Sequence, residues 1–121
     1  MGKSSDIVNK FYDVANNKKG DGLEDLVSNN ISFEGPLMNL SGAKQYIDTV
    51  KPLCKMHQGM RMFKQIEDGK DVVSIYEMTF STPNGGTMKA NIADWLTIEN
   101  GKVVKQKLFY DPREFARAFN K

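Results

Sequence analysis

The stretch "ADWLTIENGKVVKQKLFYDPREF", residues 93–115, decides the fold. Both of its halves alternate apolar and polar residues, the period of a half-buried strand rather than of a helix. Asn100-Gly101 between them suits a tight hairpin, whose central residues must take left-handed backbone angles. After the second strand, Asp111 can cap a helix, Pro112 fits its first position, and Glu114 completes a capping box. The segment therefore predicts two antiparallel strands followed by a short helix carrying Phe115 and Phe119.

Upstream the alternation continues. Gly59–Glu67, Asp71–Ser81 and Thr87–Glu99 read as strands, with Val103–Asp111 as the fourth, and Asp68-Gly69 and Pro83-Asn84-Gly85-Gly86 supply the other turns. Before residue 58 the period is helical. Ser4 or Ser5 can cap a first helix with Ile7, Val8, Phe11, Val14 and Ala15 as its apolar stripe. Asp21 opens a short second helix carrying Leu23, Leu26 and Val27, and Ser41 a third with Tyr46, Ile47 and Val50, whose last turn Pro52 disturbs. Ile31 and Phe33 form a brief strand that Gly35-Pro36 breaks. Helices segregated before an antiparallel meander indicate an α+β fold, one domain over residues 1–121, with the helices on one sheet face. Val73, Ile75, Ala93 and Trp95 make the other face apolar too, so a homodimer through that outer face is expected.

Composition narrows the function classes. A net charge of +2 with dispersed lysines argues against nucleic acid. Cys54 is the single cysteine, so no internal disulfide can form, and the start MGKSSD has no apolar run; a cytoplasmic protein that does not engage membranes is expected. One histidine and one cysteine three residues apart offer no metal-ligand set, and no phosphate loop is present, so no cofactor is expected.

The element order, the run at 93–115 and the opening "FYDVANNKKGDGLEDLVSNNISFEGP" together resemble the SnoaL-like branch of the NTF2-like superfamily, which includes ketosteroid isomerases and polyketide cyclases. The resemblance implies an NTF2-like (cystatin-like) cone, a curved antiparallel sheet wrapped around three N-terminal helices with a pocket inside. It places Asp94 where ketosteroid isomerases hold a developing oxyanion with an aspartic acid. Their general base would fall at Gly35 here, and their first-helix tyrosine at Phe11 or, one residue on, Tyr12. With the second carboxylate missing, steroid isomerisation is not expected.

Asp94 lies on the apolar side of its strand, among Ala90, Ile92, Leu96 and Ile98. An inward carboxylate must be paired, protonated or beside a wet cavity. Three readings stay open: a pocket acid or base, a carboxylate bonded to a backbone group or tyrosine without chemistry, and a bulge that turns it outward. The turn at Asn100-Gly101 bears on this. A two-residue turn sets Lys107 opposite Asp94, whereas a three-residue loop turns Val104, Gln106, Leu108 and Tyr110 inward and sends Lys105 and Lys107 out. The second gives the more apolar inner face and is the expectation. Asp94, Tyr76 and Tyr12 are then the catalytic candidates for cofactor-independent proton transfer on a small apolar carbonyl compound. Phe33, Tyr46, Met62, Met78, Gln106, Leu108 and Tyr110 are the candidate ligand-binding residues. A non-catalytic ligand-binding or dimeric interaction domain is the alternative. Met38, Met60 and Met88 are further candidates to line an adaptable cavity. His57 could serve as a general base at the pocket mouth, but the favoured expectation is a solvated loop histidine, and Cys54 is expected to be structural.

Overall fold

The computed structural model describes residues 3–113 and Arg117. Helix α1 (Lys3–Asn17) is followed by a 3-10 turn (Leu23–Asp25), then strands β1 (Val27–Glu34) and β2 (Asn39–Ser41), helix α2 (Ala43–Cys54), and strands β3 (His57–Asp68), β4 (Asp71–Ser81), β5 (Thr87–Glu99) and β6 (Lys102–Phe109). The six strands form one sheet in the order β2-β1-β6-β5-β4-β3. The β3–β6 meander follows the expected strands closely. The C-terminal helix with Phe115 and Phe119 lies outside the described residues, although its cap is in place: Asp111 Oδ1 accepts from the Arg113 N–H at 3.0 Å.

Two features depart from expectation. The sheet is mixed rather than antiparallel, because β1 runs parallel to β6, with Phe33 beside Gln106. Among the described residues two α-helices, rather than the three expected in the N-terminal half, pack on it. The segment 21–27 buries Leu23, Leu26 and Val27 as a helix would, but takes only a 3-10 turn. The sheet edge claims it: the Val103 N–H donates to the Leu26 carbonyl at 2.8 Å, and Val27, β-branched and suited to strands, pairs with Val103. Tertiary hydrogen bonds thus outweigh a weak helical preference.

Helix α1 is tied at its start to β3 and the turn that follows it. The Glu67 carboxylate on β3 accepts the Ser5 N–H at 2.8 Å, and Ser4 Oγ donates to the Gly69 carbonyl. An anion at a helix N-terminus is the favourable sign for the helix dipole. At the other end the Gly20 N–H (φ 90°) closes onto the Val14 carbonyl at 2.9 Å, a left-handed glycine stop. Val8, Phe11, Tyr12 and Val14 face the sheet from α1, and Tyr46 from α2. They meet Val72, Ile92, Leu96, Ile98 and Val103 to form the core.

Bulges bend the sheet over the helices. Register shifts occur on β3 around Phe63 and between β5 and β6 beyond Ile98. Each inserts one residue and increases local bend and twist. No helix among the described residues is long and apolar enough to cross a membrane.

Candidate functional site

The β5–β6 bulge places the central residue of the site. The turn at Asn100-Gly101 is the two-residue kind, with Glu99 paired to Lys102 and both turn residues left-handed (φ 53° and 77°). Continued without interruption, that register would set Lys107 against Asp94. Instead Ile98 pairs with Val103 and Thr97 with Lys105, so Val104 is the extra residue. Beyond it Asp94 faces Leu108 and Leu96 faces Gln106. The inward set expected from a longer loop arises by a different route, with one exchange: Val103, not Val104, is fully buried. Lys107 lies on the outer face, 3.7 Å from Glu34.

Asp94 is fully buried. The Tyr12 hydroxyl donates to its Oδ2 at 2.9 Å and the Tyr76 hydroxyl at 3.0 Å. Gln106 Nε2 reaches Oδ1 at 3.1 Å and Oδ2 at 3.2 Å. Gln106 is itself oriented, because the Tyr46 hydroxyl donates to its Oε1 at 2.6 Å, which leaves the amide nitrogen for Asp94. Tyrosines from α1 and β4 thus bond one carboxylate directly, and a third from α2 acts on it through Gln106. No lysine, arginine or histidine among the described residues bonds it, and this decides its protonation. Burial pushes the Asp94 carboxyl up from 3.8 to about 6, against the opposing pull of the Gln106, Tyr12 and Tyr76 hydrogen bonds. Burial, and next the Asp94 charge, raise all three phenols well above their ordinary range. They are donors at neutral pH, not bases.

Beside this cluster lies a cavity of about 130 Å³. Its walls are mainly apolar: Phe11, Phe33, Met38, Val50, Phe80, Ile92 and Leu108, with Asp94, Gln106, the tyrosines, Asn16 and His57 as the polar part. An apolar cavity of roughly 150 Å³ admits a benzene-sized ring. Of the residues expected in the site, Asp94, Tyr76, Tyr12, Phe33, Tyr46, Met78, Gln106, Leu108 and Tyr110 all line it. Met62 does not. The bulge at Phe63 leaves it at the edge of the sheet, 39% exposed, on a polar groove between α1 and β3. Met60 also lies on that groove, and the Asn16 amide donates to its sulfur at 3.1 Å.

His57 is the residue that sequence reasoning misplaced. It opens β3 rather than sitting in a solvated loop, is 7% exposed, and lines both the cavity and the groove. Its main chain is held by Lys19, whose Nζ donates to the His57 carbonyl at 3.0 Å. Burial, then the Lys19 charge, lower its pKa, so the ring is neutral at pH 7. Its Nδ1 is buried without a hydrogen-bond partner among the described residues, a condition that costs about 1–3 kcal/mol. Cys54, also on the cavity wall, is kept a thiol by burial. No group of three or more potential metal ligands occurs among the described residues.

Comparison with known proteins agrees with this architecture. A family model for the SnoaL-like domain matches residues 8–106. No curated protein matches the sequence significantly. Among solved structures, an NTF2-like protein of unknown function from Burkholderia pseudomallei superposes with a TM-score of 0.84 at 17% identity, over 100% of both chains. A putative SnoaL-like polyketide cyclase from Jannaschia sp. gives 0.80 at 15% identity over 97% of this chain and 91% of that one. TerC, co-crystallised with polyporic acid, gives 0.82 at 15% identity over 99% and 100%. Identities this low establish the shared architecture and not a shared reaction. With a family match spanning residues 8–106 and the six-stranded curved sheet to support it, this chain belongs to the SnoaL-like domain family and has the NTF2-like fold.

Proposed function

We propose that the cone holds a small, mainly apolar carbonyl compound and that Asp94 moves a proton at the carbon next to the carbonyl, without a cofactor. The observation that carries this reading is a fully buried carboxyl raised to about 6, with three neutral donors on it, at the wall of an apolar cavity. A base near neutrality is both ionised and basic enough to act. Proton abstraction converts the carboxylate to an acid and the substrate to an enolate. The protonated Asp94 is a weaker acceptor, so the Tyr12 or Tyr76 hydroxyl is released to the enolate oxygen, where negative charge has developed. Return of the proton from Asp94 to a different carbon completes an isomerisation, or to the same carbon an exchange. That TerC, alike in fold, was co-crystallised with polyporic acid supports a small organic occupant.

The test is α-proton exchange in D2O, followed by NMR, across small aryl and alkyl ketones. The wild type is expected to exchange at least one of them faster than buffer does, and Asp94→Asn to fall to the buffer rate. Binding without exchange by the wild type would refute the catalytic reading. A second reading, a non-catalytic ligand-binding domain, is favoured by Gly35, which leaves no second carboxylate, and by the full hydrogen-bonding of Asp94.

The proposal includes a cytoplasmic homodimer through the outer sheet face. Among the described residues the helices pack on the inner face, while Phe63, Ile75, Trp95 and Phe109 are more than a third exposed. Arg61, Lys105 and Lys107 lie over three of these rings, Phe63, Trp95 and Phe109, at 5.3, 5.6 and 5.3 Å. An apolar area of this kind on a sheet is stabilised by a symmetric copy of itself.

A further inference from the structure

We propose that His57 is a second polar anchor of the cavity, taking a hydroxyl group at the end of the ligand far from Asp94. The inference rests on the cavity being a small-molecule site and adds what that molecule must carry. Its basis is the buried Nδ1, without a hydrogen-bond partner among the described residues, of a residue on the wall of a mainly apolar cavity. A neutral imidazole offers either a donor or an acceptor at that nitrogen, depending on the tautomer. A hydroxyl, which both donates and accepts, satisfies it in either form.

The position is built rather than incidental. Three of its surroundings fix its main chain: Lys19 bonds its carbonyl, the neighbouring Met56 carbonyl accepts the Ser81 N–H at 2.8 Å, and Phe80 pairs with it across the sheet. It also stands on the wall shared by the apolar cavity and the polar groove between α1 and β3. On the α1 side that wall is Tyr12 and Asn16. There the Asn16 amide donates to the Met60 sulfur, a weak acceptor.

A single aromatic ring fits the cavity. The ligand class is therefore a hydroxylated one-ring carbonyl compound, with the carbonyl towards Asp94, Tyr12 and Tyr76.

Because His57 is the sole histidine, its ring nitrogens can be followed by 15N NMR without assignment ambiguity. The probes are 4-hydroxyacetophenone and acetophenone, which differ only in the distal hydroxyl. The hydroxylated ketone is expected to bind about tenfold tighter and to shift the Nδ1 resonance, as one good hydrogen bond to a buried group would give. In His57→Phe the two affinities should converge, and in His57→Gln the preference should partly return. If the ketones perturb Tyr12 and Tyr76 while the imidazole stays still, the His57 assignment is overturned and the cavity reading stands. If neither ketone perturbs any of the three, both are overturned. These readouts on the wild type hold even if a substitution prevents folding.

Discussion

Asp94→Asn should change the pH dependence of stability in one direction only, and the direction tests the account of the site. In the folded protein the carboxyl is raised from 3.8 to about 6. A group raised on folding binds its proton more tightly in the native state, so its contribution is fully present below pH 3.8 and is lost as pH rises to about 6. At about 1.4 kcal/mol per pH unit the loss is about 3 kcal/mol. Wild-type stability minus that of the variant should therefore fall by about 3 kcal/mol between pH 4 and pH 7, then level off. The subtraction matters, because Glu24, Glu67, Asp71 and Asp111 have lowered pKa values and act in the opposite sense as pH falls. Their contributions are common to both proteins and cancel. The variant has a pH-independent cost of its own, since the amide introduced at position 94 would set N–H groups against Gln106 Nε2, about 1–3 kcal/mol. That offset moves the difference curve without tilting it. Urea unfolding at unit pH intervals, with m of about 1–3 kcal/mol per molar, resolves such a slope. A difference that stays flat or rises with pH would mean that the three hydrogen bonds outweigh burial. Asp94 would then be a fixed anion, too weak a base for the proposed proton transfer.

Deleting Val104 should remove the bulge and leave every other β5–β6 pair in place, Thr97 with Lys105, Leu96 with Gln106 and Asp94 with Leu108. No charge enters the interior, so cooperative thermal unfolding by circular dichroism should be retained, and loss of the melting transition would show that the local bend of the bulge is itself needed to hold the two strands together. On the outer face, Ile75→Glu adds a carboxylate to each half of a symmetric contact, and sedimentation should fall from twice 13.7 kDa to the monomer with the far-UV spectrum unchanged. A wild type that already sediments as a monomer would refute the dimer.

Local chemistry made the meander legible. Asn100-Gly101 turns β5 into β6, and Asp68 and Gly69 stand at the β3–β4 turn, where Asp68 pairs with Asp71 around Gly69 and Lys70. The strands between alternate because one face is buried. Asp94 was readable as inward for the same reason: the period of a strand is two, and its neighbours at that period are apolar. What escaped the sequence depends on partners far along the chain. The parallel β1–β6 pairing joins Val27 to Val103, and it is that contact, not any local preference, that makes 21–27 a 3-10 turn ending in a strand. His57 has polar neighbours in sequence, Lys55 and Gln58, so nothing nearby signals burial; Phe80 and Lys19 bury it from other elements.

The bulge at Val104 shows how the two kinds of information combine at the site. Asn-Gly turn chemistry favours the two-residue hairpin, and the hairpin alone would have neutralised Asp94 with Lys107. The inner face needs the opposite parity, because Gln106 and Leu108 can be buried there and two lysines cannot. One extra residue reconciles them, leaving the turn its preferred angles and the core its apolar set. The chemical consequence is large relative to that change. With a lysine opposite, Asp94 would be an ion-paired carboxylate held below its ordinary pKa and unable to accept a proton near neutrality. With Leu108 opposite and only neutral donors around it, burial dominates and the carboxyl is raised instead. The bulging of Val104 out of the β5–β6 ladder thereby separates a structural ion pair from a group able to exchange protons at physiological pH.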